Sequence, residues 1–308
     1  MDHAPPVPPP FIDAHHHFWD LDHNPHPWLQ DEPVAHFRYG SYAALKRNYL
    51  PEDFARDTGA CAPAASVHIE AEWSRAAPVD ETRWLTTLAQ RYQRPSVVVA
   101  HADLADAEVS HVLAAQAAFA MVRGIRHKPV VSLTAQDARR GEAGSMDDGR
   151  WRDGYAWLEK FGLSFDLQAP WWHLEQALDL ARDFPATPLV LNHTGLPSDR
   201  SAQGLARWRQ ALARLADAPN TALKISGLGQ RDVPWTASDN VPVIQDAIAI
   251  FGADRCMFAS NFPVDSLVTS YGAIVSAFAQ AIAPLAPAQQ RALWGGNAAR
   301  IYRIANWA

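Results

Sequence analysis

The sequence predicts an α/β protein folded as a (β/α)8 TIM barrel of parallel strands. Short β-branched or aromatic runs alternate with amphipathic stretches, there are eight such runs, and no glycine-rich phosphate loop follows the first of them. An open doubly wound sheet usually has that loop, whereas eight βα units in about 250–300 residues are what a closed barrel requires. The predicted strands are 11–19, 64–72, 96–103, 121–127, 163–169, 187–193, 221–227 and 255–261.

Between the strands, apolar residues recur at helical spacing. The predicted helical stretches are 79–92, 105–119, 171–184, 205–216, 241–251 and 271–282. With 308 residues and 48% hydrophobic content, the chain is able to bury one large core. We therefore predict a flexible proline-rich tail at 1–10 and a single barrel domain at 11–308.

Composition narrows the classes of partner. The net charge of −6 and the absence of long like-charge blocks argue against nucleic acid or an anionic membrane as partner, and no apolar run approaches the roughly 18 residues of a spanning helix. The start of the chain lacks a basic segment followed by an apolar one, and the only cysteines are Cys61 and Cys256. We expect a cytoplasmic protein with a small-molecule substrate, and the sequence leaves open a homo-oligomer.

The first predicted strand contains a cluster of imidazoles. Residues i and i+2 of a strand share a face, so His15 and His17 project together and His16 points away. Two neutral imidazoles on one face form half of a divalent metal site. The alternative to metal binding is that these histidines only fill a polar barrel mouth.

The second predicted strand alternates apolar and polar residues. The pattern places Val67 and Ile69 toward the helices, and His68, Glu70 and Glu72 toward the barrel lumen. Two carboxylates would then reach the mouth.

Polar residues also close the later strands, at the end of the barrel where active sites form. They are Arg126 and His127 on strand four, Asp166 and Gln168 on strand five, His193 on strand six, Lys224 and Ser226 on strand seven, and Asn261 with Asp265 just beyond on strand eight.

Several of these segments match a known pattern. The matching segments are Asp13-x-His15-x-His17, His193, Ser260-Asn261-Phe262-Pro263, 49–54, 122–126 and 294–302. The chain resembles the amidohydrolase superfamily (amidohydrolase 2 type), and within it a lactonase-like branch of sugar-lactone, pyrone dicarboxylate and sulfomuconolactone hydrolases. This resemblance implies a distorted eight-stranded barrel in which His15, His17 and His193 match the family's histidines.

Two positions depart from that pattern. Asn261 stands where the superfamily normally has an aspartate that binds metal or takes the proton of the attacking water, and Gln168 stands where metal-dependent relatives often have a histidine. A binuclear centre is therefore not expected. The resemblance leaves open one divalent metal, zinc in the first place, held by His15, His17 and His193, and also catalysis without metal.

Opening a lactone requires a polarised carbonyl, a delivered water and a stabilised oxyanion. The three histidines would polarise the carbonyl, and the catalytic group would comprise His193, Asn261 and Asp265. The base is open between Asp265, Glu70 and Glu72, and Asp265 is alternatively a helix cap.

The remaining candidates concern substrate binding. Arg126 is able to bind an anionic group of the substrate through two hydrogen bonds. The alternative is an internal ion pair with Asp166 or a glutamate. We assign Lys224 to a structural pair with Asp166.

A further set of candidate substrate-binding residues is Glu70, Glu72, His127, Gln168, Trp171 and Trp172. The two tryptophans are candidate pocket walls, although most tryptophans pack in cores. The long segment between strands one and two, with residues 27–29 and 37–40, is either a lid or an oligomer contact.

The sequence thus predicts a hydrolase that opens a small, anionic lactone in sugar-acid or aromatic catabolism. The alternatives are a metal-dependent decarboxylase of an aromatic or unsaturated acid and a non-catalytic ligand-binding barrel.

Overall fold

A computed structural model describes residues 8–31 and 33–307 of the chain. Residues 1–7 of the expected proline-rich tail lie outside the described part, so its flexibility stays a prediction.

The described residues form one sheet of eight parallel strands that pair in chain order. The strands are β1 Ile12–His16, β2 Ala65–Ile69, β3 Val97–His101, β4 Val122–Arg126, β5 Ser164–Leu167, β6 Leu189–Leu191, β7 Thr221–Ile225 and β8 Cys256–Phe258. Each lies inside a predicted segment, so the predicted barrel and all eight of its strands are confirmed.

Helices follow the strands and surround the sheet. Their bounds are α1 Pro27–Gln30, α2 Pro51–Thr58, α3 Pro78–Tyr92, α4 Val109–Ala117, α5 Gly149–Lys160, α6 Leu174–Asp183, α7 Ala202–Ala216, α8 Ala237–Phe251, α9 Tyr271–Ile282, α10 Pro287–Arg291 and α11 Asn297–Tyr302. The six predicted helices are confirmed as α3, α4, α6, α7, α8 and α9, and α1, α2, α5, α10 and α11 were not predicted. Side-chain caps begin several of them, as at Ser201 before α7 and Thr236 before α8.

The apolar residues form two layers. The inner layer lies within the barrel, where strand residues such as Ile12, Val99 and Met257 pack together and α11 adds Ala298 and Tyr302 at the bottom. The outer layer packs the other face of the strands against the surrounding helices. Both faces of the sheet are therefore buried, as in other all-parallel sheets.

The expected faces of β2 are wrong. Val67 and Ile69 belong to the inner layer, while His68 points outward, where its Nε2 lies 3.4 Å from the Glu81 carboxylate of α3. The alternation itself is correct. Its phase is reversed because a strand buried on both faces carries apolar residues on either side, so polarity does not mark the lumen.

The barrel closes where β1 meets the end of β8. His16 bridges to Phe262, and the His17 amide donates to the Phe262 carbonyl at 2.8 Å. The Asn261 amide donates to the His15 carbonyl at 2.8 Å. The seam therefore joins residues of the first and last strands that the sequence assigned to one site.

Both cysteines are buried thiols that do not pair with each other. Within 8–31 and 33–307, no helix has both the length and the apolar character needed to cross a bilayer.

Candidate active site

A β-bulge in β1 turns the histidines toward the lumen. The pairing of β1 with β2 shifts by one residue between Asp13 and His16. Asp13 points outward and accepts a hydrogen bond from Tyr271 of α9 at 3.1 Å, and regular alternation would place His15 and His17 on that same face. The extra residue re-aims both rings.

The structure brings the three predicted histidines together. The ring centre of His15 lies 5.0 Å from that of His17 and 4.5 Å from that of His193. His193 follows β6 in the left-handed region, with φ of 54°. Such backbone conformations are costly outside glycine and cluster at functional sites.

Hydrogen bonds fix the tautomers of the first two histidines. His17 Nδ1 lies 2.8 Å from the Ile69 carbonyl, which only accepts, so Nδ1 carries the proton and Nε2 keeps a lone pair. His15 Nδ1 lies 2.9 Å from Asn192 Oδ1. Because the Asn192 amide donates to Asp166 at 3.3 Å, its oxygen accepts from His15.

His193 is held in a similar manner, with Nδ1 3.0 Å from Ser226 Oγ. Burial holds the pKa of His15, His17 and His193 well below the ordinary histidine value, and nearby cations such as Arg126 reinforce the effect. All three rings are therefore neutral near pH 7.

Three neutral imidazoles with anchored Nδ1 atoms fit a divalent metal in their chemistry, because metal-binding histidines usually donate their other nitrogen to a protein group. His15 Nε2 is buried and has no hydrogen-bond partner among the described residues. As the side chains stand, no group of three or more His, Cys, Asp or Glu in 8–31 and 33–307 has metal-binding geometry. The rings would have to approach each other to hold an ion.

His17 and His193 open onto a cavity of about 260 Å³ at the mouth of the barrel, whereas His15 is buried and does not line it. The segment between β1 and β2 covers it with Trp28, Val34 and Phe37, and Trp28 stacks on Phe37 with ring centres 6.2 Å apart. Six predicted site residues line the cavity, namely His17, Glu72, Arg126, Gln168, His193 and Asn261.

Glu70 is buried and pairs with Arg126, which lines the cavity. Arg126 Nε donates to Glu70 Oε1 at 2.7 Å, and both side chains are buried. Burial acts to raise the pKa of Glu70, but the Arg126 guanidinium outweighs it and holds the pKa well below its usual range. The internal pair with a glutamate that the sequence left open is thus the arrangement observed, and Glu70 does not line the cavity.

Glu72 reaches the cavity by a change of backbone direction. It follows β2 with φ of 57° and pairs with Lys128. Among the described residues that line the cavity, Glu72 is the only carboxylate. Lys128, which sequence reasoning missed, follows β4 by two residues.

Asp265 lies behind Asn261. Asp265 Oδ1 accepts from Asn261 Nδ2 at 2.6 Å and from the Tyr39 hydroxyl at 2.9 Å, and Arg38 Nη2 lies 3.5 Å away. Asp265 is buried and does not line the histidine cavity. It therefore orients Asn261 and Arg38.

Three further candidates lie elsewhere. His127 Nδ1 accepts from the Leu104 amide at 2.9 Å, outside the cavity lining. Trp171 and Trp172 line a separate cavity of about 400 Å³ on the outer surface, together with Arg207. Sequence position alone did not separate these strand-end residues from those that face the mouth.

Lys224 pairs with Asp166 inside the barrel, as expected. Sequence reasoning missed Asn192, which holds His15, and Arg38, which lies in the quoted segment 37–40. Two signals in the sequence could have indicated them. Asn192 directly precedes the strand-six histidine, and Arg38 is a cation in a segment expected to cover the mouth.

The fold and this site define a barrel protein with a cluster of three histidines at the carboxyl ends of its strands. A family model described as amidohydrolase matches residues 12–304. The chain belongs to the amidohydrolase family.

Similar proteins agree with that assignment. An L-fucono-1,5-lactonase from Burkholderia multivorans is 32% identical over 305 residues, covering 95% of this chain and 96% of the relative. The uncharacterized protein y4mH from Sinorhizobium fredii is 39% identical over 295 residues, covering 95% and 98%. A crystal structure of an amidohydrolase from Burkholderia multivorans with bound zinc has a TM-score of 0.78 and 31% identity, covering 96% of this chain and all of that one.

Proposed function

We propose that this protein is a lactonase that opens a small sugar lactone by attack of water on the ring carbonyl. The observation that carries the proposal is the cluster of three neutral imidazoles, two of which, His17 and His193, line a cavity that Asn261 also lines. Similarity to L-fucono-1,5-lactonase at 32% identity supports the same reaction.

The pairing of two of the cavity's cations, Arg126 and Lys128, favours an uncharged, hydroxyl-bearing lactone. The prediction of an anionic substrate rested on Arg126, but Glu70 occupies its guanidinium, and Lys128 is paired with Glu72 in the same way. Paired cations and carboxylates offer both donors and acceptors, which suit sugar hydroxyls. The aromatic cover supplies an apolar wall for the ring.

The histidine cluster suits one zinc ion, which His15, His17 and His193 would hold through Nε2. When bound, zinc supplies a Lewis acid for the carbonyl and lowers the pKa of water to about 7. Direct hydrogen bonding by His17 fits less well, because its Nδ1 proton goes to the Ile69 carbonyl and neutral Nε2 has none to donate.

The protein groups divide the remaining tasks. Asp265 fixes the amide nitrogen of Asn261, so the amide oxygen is left to accept a hydrogen bond from the attacking water. Glu72 is the candidate proton acceptor, since neither Glu70 nor Asp265 lines the cavity. The water oxygen bonds to the carbonyl carbon, the ring C–O bond breaks, and the leaving oxygen takes a proton to become a hydroxyl.

The test is hydrolysis of a panel of lactones by the purified protein. Proton release measures the rate, and NMR identifies the product. The panel should contain uncharged sugar lactones, including L-fucono-1,5-lactone, and anionic ones. His193→Ala should abolish turnover and Glu72→Gln should lower kcat by about 10²-fold or more. His111→Ala, an exposed histidine with 82% side-chain exposure, is the matched control.

Absence of hydrolysis across the panel by zinc-loaded protein would contradict the lactonase proposal, and release of carbon dioxide from aromatic acids would favour the decarboxylase. Faster hydrolysis of anionic lactones would restore the substrate class predicted from Arg126. Cytoplasmic location and homo-oligomerisation stay predictions.

A further inference from the structure

Arg38 forms part of the wall between two cavities. It lines the histidine cavity of about 260 Å³ and an adjoining cavity of about 230 Å³. The second cavity also contains Gly227 and Arg231. The Arg38 side chain is 27% exposed, and its place in both linings brings it within reach of a molecule in the site.

The position of Arg38 is fixed from several sides. Its guanidinium lies 4.5 Å from the centre of the Tyr39 ring and 3.5 Å from Asp265. The neighbours of Arg38 are tethered as well, since Tyr39 donates to Asp265 at 2.9 Å and Arg231 donates to the Phe37 carbonyl at 2.6 Å. An arginine held in this way loses little further side-chain entropy on binding a ligand.

Gly227 makes room for Arg38 beside the histidines. Gly227 has φ of 65°, and a Cβ there would lie 2.6 Å from His193 Cβ and 2.7 Å from Arg38 Nη1. The Arg38 guanidinium therefore adjoins His193. Arg38 Nη1 is buried, and no described residue accepts its hydrogen bonds.

Arg38 differs from the other cations that line the cavity. Glu70 occupies Arg126, and Glu72 is paired with Lys128. The carboxylate of Asp265 is shared between Tyr39, Asn261 and Arg38, and the Arg38 separation is the longest of these three. Arg38 thus retains donor capacity beside the carbonyl-polarising cluster.

We propose that Arg38 binds the lactone carbonyl oxygen as it gains negative charge, and then the carboxylate of the product. The inference rests on the proposed lactonase function and adds a binding residue from outside the barrel strands. As water adds and the ring C–O bond breaks, the carbonyl oxygen becomes part of a carboxylate. A guanidinium offers that group a charge-assisted and bidentate partner.

The test compares Arg38→Ala and Arg38→Lys with the unaltered protein in lactone hydrolysis and in calorimetric binding of the matching open-chain aldonate. We expect kcat/KM to fall by about 10²-fold or more in Arg38→Ala, with aldonate affinity falling at least tenfold. Arg38→Lys keeps a charge beside Asp265, so it should keep the melting temperature while it loses the bidentate contact and most of kcat/KM.

Arg231→Ala is the control for loosening of the segment, because Arg231 holds the Phe37 carbonyl and does not line the histidine cavity. The proposal is overturned if Arg38→Lys and Arg38→Ala keep both kcat/KM and aldonate affinity, or if Arg231→Ala loses as much of each as Arg38→Ala. If Arg38→Ala does not fold, Arg38→Lys decides. The unaltered protein could hydrolyse no lactone and still bind the aldonate more tightly than Arg38→Lys does. In that case the proposed reaction fails, and Arg38 stands as the carboxylate-binding residue.

Discussion

Lys224 of β7 and Asp166 of β5 form an ion pair inside the barrel, with both side chains fully buried. Burial lowers the pKa of Lys224 to about 8, although Asp166 opposes that shift. Tyr302 of α11 donates to Asp166 at 2.9 Å, so the pair also anchors the helix that closes the bottom of the barrel.

Replacement of Lys224 by Met should therefore destabilise the protein by about 3–5 kcal/mol, because it leaves Asp166 buried without its cation. Urea unfolding measures the change. The double variant Lys224→Met with Asp166→Asn should recover part of that loss, since no buried charge remains. A cost below about 1 kcal/mol for the single variant would show that Asp166 does not need Lys224.

Glu81 should make stability fall as pH rises. Burial, with a contribution from Glu70, raises the pKa of Glu81 to about 7 from its ordinary 4.5. The contribution of protonated Glu81 to the free energy of unfolding is complete below its pKa in the unfolded state. That contribution is lost as pH rises through its pKa in the folded state, at up to about 1.4 kcal/mol per pH unit for one proton. Urea unfolding at pH 4.5 to 8 measures the free energy of unfolding of the unaltered protein relative to Glu81→Gln. This difference should decline as pH rises. A flat difference across that range would contradict the raised pKa.

Gly227 should not tolerate a side chain. Gly227→Ala places a Cβ 2.6 Å from His193 Cβ and adds left-handed backbone strain of about 1–3 kcal/mol, so both melting temperature and activity should fall. Gly162→Ala is the matched control, because Gly162 has φ of 62° with nothing within 4 Å of its Cβ position. Gly162→Ala should lose some stability and keep its activity, and equal losses of activity in both variants would contradict a steric role for Gly227.

We expect Asn192 to influence the binding of the proposed zinc ion through His15. Asn192→Ala removes the acceptor that holds His15 Nδ1, and loss of such an outer contact typically weakens metal affinity by about 10–100-fold. Competition with a chromophoric chelator measures zinc affinity without any assay of activity. His16→Phe is the control, since His16 points away from the cluster and stacks on Phe54 with ring centres 4.8 Å apart. Equal zinc affinity in Asn192→Ala and the unaltered protein would contradict the assignment.

The sequence predicted the barrel well because alternation of strands and helices is a local signal. Helix α5 was missed although Trp151, Tyr155 and Leu158 are buried at helical spacing, since Gly149 and Gly154 weaken the helical signal.

Other features depend on contacts that a sequence does not display. The inward turn of His15 needs the bulge in β1, and regular alternation from Asp13 would have placed it outside. The pairing of Arg126 with Glu70 joins residues 56 positions apart. The approach of Arg38 to His193 depends on space at Gly227, which no spacing rule predicts.

The seam of the barrel has a consequence for how the site comes into being. The hydrogen bond from the Asn261 backbone amide to the His15 carbonyl joins the first strand to the end of the last, so a chain that ends before residue 261 lacks this side of the cavity. During synthesis, the histidines of β1 are made long before the residues that complete their surroundings. The histidine site is therefore complete only where the two ends of the sheet are joined.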